Sequence, residues 1–306
     1  MTRHFRTLRD LSRDELLALI ERAIELKALR GEPSHPRPLQ GKSVGILLEK
    51  SSTRTRISFE VGVYELGGLP ITLKSGDIQL GRGETIEDSA RMFSRFLHAV
   101  VFRTSTHERV LRLAANSTIP IINGLCDTHH PTQLLADLQT VQENLGHLEG
   151  MRVAWVGDGN NMANSWIEAS SLLGFELVLA VPPGYEPDAE VLKAAEQSAR
   201  GQVRVLTGPG SVDEAIRDSD VVTTDVWVSM GQEGEQGQRN AAFLDFMVDA
   251  RRMKLAKRDA IFLHCLPAHR GEEVAAEVID GPWSRVWDEA ENRLHAQKAL
   301  LEFLVP

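Results

Sequence analysis

Cysteine is nearly absent from this sequence. Two thiols, Cys126 and Cys265, in 306 residues cannot build a disulfide framework, and such sparse usage fits a reducing compartment. No run approaches the ~20 apolar residues that a membrane span needs. The hydrophobic fraction of 42% is still enough for one or two ordinary cores. Positive charge is not in excess: 43 Asp and Glu outnumber 34 Lys and Arg, for a net charge of −9. That excludes a broad basic face for nucleic acid or a membrane surface, but it leaves room for a local basic pocket. The first residues, Met1-Thr-Arg-His-Phe-Arg, lack an apolar h-region, so no secretory signal is read there and the cytoplasm is the expected location. A Gly-x4-Gly-Lys-Ser/Thr phosphate loop is missing as well.

What is present is an alternation of short β-rich runs with helical stripes. The β-rich runs fall at 43–48, 69–73, 99–103 and 119–122, then at 152–156, 176–181, 203–206, 221–224 and 260–263. Between them, Ile86, Ala90, Phe93 and Leu97 fall at i, i+4, i+7 and i+11, and Leu134, Leu138, Val141 and Leu145 repeat that spacing. A first amphipathic helix is expected over about 12–29. A last one, about 290–304, carries Ala290, Leu294, Leu301 and Leu304 on one face. The length suggests two domains, and the alternation implies an α/β fold in which each domain is a parallel sheet flanked by helices. The boundary is placed near residues 144–150, where a helix ends in Gly-rich punctuation before a new buried strand. Residues 231–238 form a polar Gly/Gln/Glu loop, either functional or a solvated connector.

The most informative segment is Ser51-Ser-Thr-Arg-Thr-Arg56, between a strand and a helix. Hydroxyls and guanidiniums at a helix N-terminus suit an anion, because unpaired backbone N–H groups and the helix dipole favour negative charge there. Arginine adds bidentate bonds that match phosphate. The competing reading is an N-cap with solvated arginines. Two more strand ends should reach the same sheet edge: Arg103-Thr104, and His129-His130-Pro131-Thr-Gln133, in which Pro131 suits a first helical turn. A lone histidine is usually a structural contact, but three strand ends presenting polar donors argue against coincidence. The set His129, His130, His264, Cys265 and His269 matches no common zinc spacing, and no metal is expected.

In the second half, Val153-Ala-Trp-Val-Gly-Asp-Gly-Asn-Asn161 is a strand followed by a Gly-rich turn. A dinucleotide site would need a third glycine where Met162 stands, and an acidic residue after the next strand, which instead ends Ala-Val181-Pro-Pro. The asparagine pair therefore reads as binding a small polar ligand directly.

Taken in order, Ser52-Thr-Arg-Thr-Arg56, Arg103-Thr104, His130-Pro-Thr-Gln133, Asp158-Gly-Asn-Asn161, Asp225-Val-Trp-Val-Ser-Met-Gly231, His264-Cys-Leu-Pro267 and Glu289-Ala-Glu-Asn-Arg293 resemble the motif series of the ornithine carbamoyltransferases. The resemblance spans nearly the whole chain. It implies a carbamoyl-phosphate domain over residues 1–145, joined by a C-terminal helix at 288–306 that packs back on it, and an ornithine domain over 146–287. By similarity, Ser52, Thr53, Arg54 and Thr55 hold the phosphate, while Arg103, His130 and Gln133 hold carbamoyl and phosphate oxygens. Arg293 completes that pocket, and Gln79 reaches a neighbouring subunit's site, which implies a homotrimer with shared active sites. Asn161, Asp225, Ser229 and Met230 match ornithine-binding positions, and Cys265 and Leu266 match positions facing both substrates. Arg103, His130, Asp225 and Cys265 are the expected catalytic residues, and no cofactor is implied.

The implied reaction moves the carbamoyl group of carbamoyl phosphate to the δ-amine of L-ornithine, giving L-citrulline and phosphate. The His-Cys-Leu-Pro form, in place of His-Pro-Leu-Pro, favours ornithine over aspartate as acceptor. Putrescine and N-acetylornithine are the alternative acceptors. Two readings from other classes are a nicotinamide-dependent dehydrogenase, which would use Gly157–Asn161, and a non-catalytic anion sensor, which would lack the second-half cluster.

Overall fold

The computed structural model describes residues 2–74, 76, 83–198, 200–229 and 233–305. The chain divides into two compact units, Met1–Gln139 with Glu291–Pro306, and Thr140–Ala290. In chain order the elements are α1 (Arg13–Ala28), β1 (Ser43–Leu48), α2 (Thr53–Glu65), β2 (Leu69–Lys74), α3 (Ile86–Phe96), β3 (Ala99–Arg103), α4 (His107–Ala115), β4 (Ile121–Leu125) and α5 (Pro131–Leu145). They continue with β5 (Arg152–Val156), α6 (Asn161–Leu173), β6 (Glu176–Ala180), α7 (Ala189–Glu196), β7 (Gln202–Leu206), α8 (Ser211–Ile216) and β8 (Val221–Thr224). Last come α9 (Gln236–Phe243), α10 (Ala250–Met253), β9 (Ile261–His264), α11 (Ala276–Ile279) and α12 (Val286–Leu304).

Both sheets are parallel. The first has the order β2-β1-β3-β4 and the second β7-β6-β5-β8-β9. Helices on both faces bury the inner strands, so β1 and β3 read as continuous apolar runs, and every residue of β3 is buried. Edge strands β2 and β7 stay partly exposed. The strand order reverses between β1 and β3 in one sheet and between β5 and β8 in the other. Open α/β sheets bind ligands in the crevice beyond the strand C-termini at such a point. Pairing sets those ends level: Leu48 lies beside Arg103, and Arg103 beside Leu125. The three strand ends expected to share an edge do share one.

Local chemistry explains the helix starts. Ser12 and Glu15 form a capping box for α1. Ser52 caps α2 through a bond from the Thr55 N–H, and Pro131 opens α5. The C-terminal helix packs back on the first unit: Arg22 Nε donates to Glu302 at 2.8 Å, Lys27 Nζ to Asn292 at 2.8 Å, and Lys298 Nζ to Glu65 at 2.8 Å.

Two elements differ from the expected bounds by more than one residue. Strand β4 covers Ile121–Leu125 rather than 119–122. Pro120 has no N–H for the ladder, and Asn123-Gly124 hides the remainder because both types have low strand propensity. Their place is held by the N-terminal segment: the Phe5 N–H donates to Ile121 O at 2.8 Å and the Asn123 N–H to Phe5 O at 2.7 Å. Helix α12 starts at Val286, about one turn earlier than expected, with Val286 buried and Trp287 exposed.

Several histidines sit in the first unit as neutral groups. Burial lowers the pKa of His4, His35 and His107 below the ordinary 6.5. His295 on α12 is held down to about 3, by burial first and then by Lys298, Arg30 and Lys27. A group whose folded pKa lies below its unfolded one contributes full stability above the unfolded value and loses it as pH falls. For His295 that window runs from pH 6.5 down to about 3. The expected result is a melting temperature that is level above pH 7 and already falling between pH 6.5 and 5, before most carboxylates titrate. His295→Gln should fall less steeply. A wild-type curve flat from pH 7 to 5 would contradict this.

Candidate active site

The half-site in the first unit is built around Thr55. This residue is fully buried, in the first turn of α2. Its hydroxyl accepts from Arg293 Nη2 at 2.9 Å and from Arg103 Nη1 at 3.4 Å. One short side chain thus gathers a guanidinium from the end of β3 and another from α12. Arg103 and Arg293 are both buried, and Arg54 is partly so. His130, at the start of α5, reports the resulting field. Its pKa is pushed well below 6.5 by burial first and then by Arg293, Arg103 and Arg54, so the imidazole is neutral. The charges that bear most on it are all positive and come from three separate segments.

Neighbouring bonds make the half-site rigid. Gln133 Nε2 donates to Asp137 at 2.8 Å inside α5. Thr104 and Arg109 both donate to Glu49, and the Glu49 N–H donates to Arg103 O at 3.0 Å, which ties the ends of β1 and β3 together. Ser52 serves as the α2 cap, while Thr53 is exposed. The functional reading left His129 without a role. It is buried, its carbonyl accepts from the Cys126 N–H, and its ring packs edge-on to His107 at 4.7 Å, which makes it a structural neighbour. Gln79 lies outside the described residues.

The half-site in the second unit lies at the ends of β5, β8 and β9. Asp225, just past β8, is buried. Its Oδ1 accepts from the Val226 N–H at 2.8 Å and from the Cys265 thiol at 3.2 Å, and its Oδ2 accepts from Asn160 Nδ2 at 2.8 Å. Asn161 and Ser229 are partly exposed, and Met230 lies outside the described residues. Past β9, Leu266 sits at φ +58° and a cis bond leads into Pro267. The turn is held by His264: the Leu266 N–H donates to His264 Nδ1 at 2.9 Å, so Nε2 carries the proton and faces Glu273 at 3.2 Å. The His264 N–H donates to Glu289 at 2.8 Å. Asp225, His264 and Cys265 place potential ligand atoms within 4.8 Å of one another. Both His264 nitrogens are already engaged, however, so the imidazole is not offered to a metal.

The Gly-rich turn is shaped for packing. A Cβ on Gly159 would lie 2.3 Å from the backbone nitrogen of Pro187, and the Gly159 N–H donates to Tyr185 O at 2.9 Å. The close backbone approach that a dinucleotide would need from this glycine is made by the chain itself. Asp158 is committed to Arg239, whose Nη1 donates to it at 2.8 Å and to Trp227 O at 3.0 Å.

Of the residues expected from sequence, Thr55, Arg103, His130 and Arg293 come together in one unit, with Arg54 bearing on the same imidazole; Asp225 and Cys265 come together in the other. Glu49, Asp137 and Glu273 were not anticipated; Asn160 was expected to bind ligand directly beside Asn161, and Glu289 stood only as the first residue of a motif. Asn160 carried a signal through its place in the Asp-Gly-Asn-Asn run. Glu49, Asp137 and Glu273 carried none, because an isolated carboxylate is not distinctive until its buried partner is known. Chemically, the first half-site concentrates positive charge around neutral donors, as a phosphoryl group requires. The second offers a carboxylate and a thiol to a ligand's N–H groups.

Comparisons with known proteins agree with this division of labour. Residues 3–143 match the carbamoyl-P binding domain of aspartate/ornithine carbamoyltransferases, and residues 149–304 match their Asp/Orn binding domain. The chain is 56% identical over 303 residues to an ornithine carbamoyltransferase of Methylococcus capsulatus, covering 99% of this chain and 98% of that one. It is 55% identical to one of Halorhodospira halophila, covering 99% of each. The solved ornithine carbamoyltransferase of Pyrococcus furiosus superposes with a TM-score of 0.94 at 46% identity, covering 99% of this chain and 97% of that one. With both domain types matched end to end on two parallel sheets, the chain belongs to the aspartate/ornithine carbamoyltransferase family.

Proposed function

We propose that this chain is an ornithine carbamoyltransferase, which transfers the carbamoyl group of carbamoyl phosphate to the δ-amine of L-ornithine and releases L-citrulline and phosphate. The observation that carries the reading is the convergence of Arg54, Arg103 and Arg293 on a neutral His130 beside Thr55. The phosphate sits on Ser52, Thr53, Arg54 and Thr55 at the N-terminus of α2. Arg103, His130, Gln133 and Arg293 hold the remaining phosphate and carbamoyl oxygens. Asn161, Asp225, Ser229 and Met230 hold ornithine, and Cys265 and Leu266 face both ligands.

In the reaction the amine nitrogen attacks the carbamoyl carbon, forming a C–N bond, and the C–O bond to phosphate breaks. The attacking amine must be neutral. With a pKa of ~10.4 for an alkylamine, only about one molecule in a thousand is neutral near pH 7.4, a deficit of roughly 4 kcal/mol. Asp225 and the Cys265 thiol are placed to take and orient its N–H groups. The released proton leaves with the phosphate or passes to this pair. Negative charge develops on the carbamoyl oxygen, and donors from Thr55, Arg103 and His130 stabilise it at roughly 3–4 kcal/mol each.

A homotrimer with shared sites fits the apolar surface of the first unit, where Ile57, Tyr64, Leu69 and Phe96 are all exposed. In that assembly Gln79 would belong to a neighbour's pocket. A cytoplasmic location fits the absence, among the described residues, of any helix long and apolar enough to cross a membrane.

The test is citrulline production by purified protein offered carbamoyl phosphate with ornithine, putrescine, N-acetylornithine and aspartate in competition. Ornithine should dominate. Preference for another acceptor, or no carbamoylated product, would overturn the proposal.

A further inference from the structure

We propose that Asn160 is a positioning residue, whose amide fixes the Asp225 carboxylate in the orientation that receives the acceptor's amine. This rests on the reading of Asp225 as part of the acceptor site. Asn160 caps α6, and its Oδ1 accepts from the backbone N–H groups of Met162 at 2.9 Å and Ala163 at 3.2 Å. Its Nδ2 donates to Asp225 Oδ2 at 2.8 Å. Flipping the amide would set its NH2 against two N–H donors and its carbonyl against a carboxylate, so only one orientation is satisfied.

Capping alone does not call for asparagine. Aspartate and serine cap as well, but neither carries an acceptor and an amide donor at opposite corners of one rigid tip. Asp225 shows what the donor does. Each carboxylate oxygen has about two acceptor directions. Among the described residues, Oδ1 fills its two with the Val226 N–H and the Cys265 thiol, while Oδ2 gives one to Asn160 and keeps one. Asn160 therefore decides where the last acceptor direction points. It is itself held by the first turn of α6, so the reactive carboxylate is keyed to a helix as well as to its own loop. Asn161, one residue on, begins the helix.

The experiment compares Asn160→Ser and Asn160→Asp with the wild type in ornithine kinetics, carbamoyl-phosphate binding and thermal melting. Both variants keep a capping oxygen. Losing a hydrogen bond to a charged group should cut kcat/KM for ornithine about tenfold or more in Asn160→Ser. Asn160→Asp also sets a second carboxylate against Asp225 and should lose about tenfold more. Carbamoyl-phosphate affinity should be unchanged in both. The expected order in ornithine use is Asn, then Ser, then Asp, whereas capping strength ranks the three as near equals.

Ornithine kinetics that merely track melting temperature, or that match the wild type in both variants, would overturn the proposal and leave the assigned activity standing. A wild-type chain that makes no citrulline would remove both.

Discussion

Replacing Arg103 with methionine should lower kcat/KM for carbamoyl phosphate by about a thousandfold, with the fold intact. The magnitude follows from removing one preorganised donor aimed at developing charge, roughly 3–4 kcal/mol, among side chains that are already buried. The fold should survive because removing Arg103 relieves like-charge crowding: its buried guanidinium shares the Thr55 hydroxyl with that of Arg293, and both bear on His130. Methionine keeps much of the length without the charge. The variant also carries an internal check. His130 is held well below 6.5 partly by Arg103, so its titration, followed by NMR, should move up when that charge is gone. A variant with near-normal turnover, or an unmoved His130, would contradict the assignment.

Asp225→Asn is expected to cut kcat/KM for ornithine by a similar factor while leaving carbamoyl-phosphate binding untouched. The carboxylate accepts three donors, from Val226, Cys265 and Asn160. An amide in its place must turn an NH2 toward at least one of them, in either orientation. It also loses the charge that attracts an incoming ammonium. Leaving a buried charged group unpaired costs roughly 3–5 kcal/mol, which for the ornithine complex corresponds to about two to four orders of magnitude. Equal losses for both substrates would place Asp225 outside the acceptor half-site.

The fold was legible because its parallel strands announce themselves as short apolar runs separated by amphipathic helices, and the observed β1, β3, β5 and β8 bounds coincide with the runs read from sequence. Strand β4 was blurred where Asn123 and Gly124 occupy a strand without strand propensity, held by pairing to Phe5 more than a hundred residues away. The site was legible as a set of segments and illegible as a network. Nothing in the order of residues says that Thr55 takes bonds from both Arg103 and Arg293, which enter from distant parts of the chain. Nothing distinguishes Asn160 from Asn161 until the helix start turns one toward Asp225. Glu273 looks like a surface carboxylate in sequence, and Glu289 only like the first residue of a motif, yet both are buried and bond to His264.

The central claim is that guanidiniums from three separate segments of the first unit form one anion site. It is tested most directly by solving the structure of the protein crystallised with carbamoyl phosphate. The account places the phosphoryl group at the N-terminus of α2, within hydrogen-bonding distance of Arg54, Arg103 and Arg293 together. A phosphoryl group bound elsewhere, out of reach of Arg103 and Arg293, would contradict it.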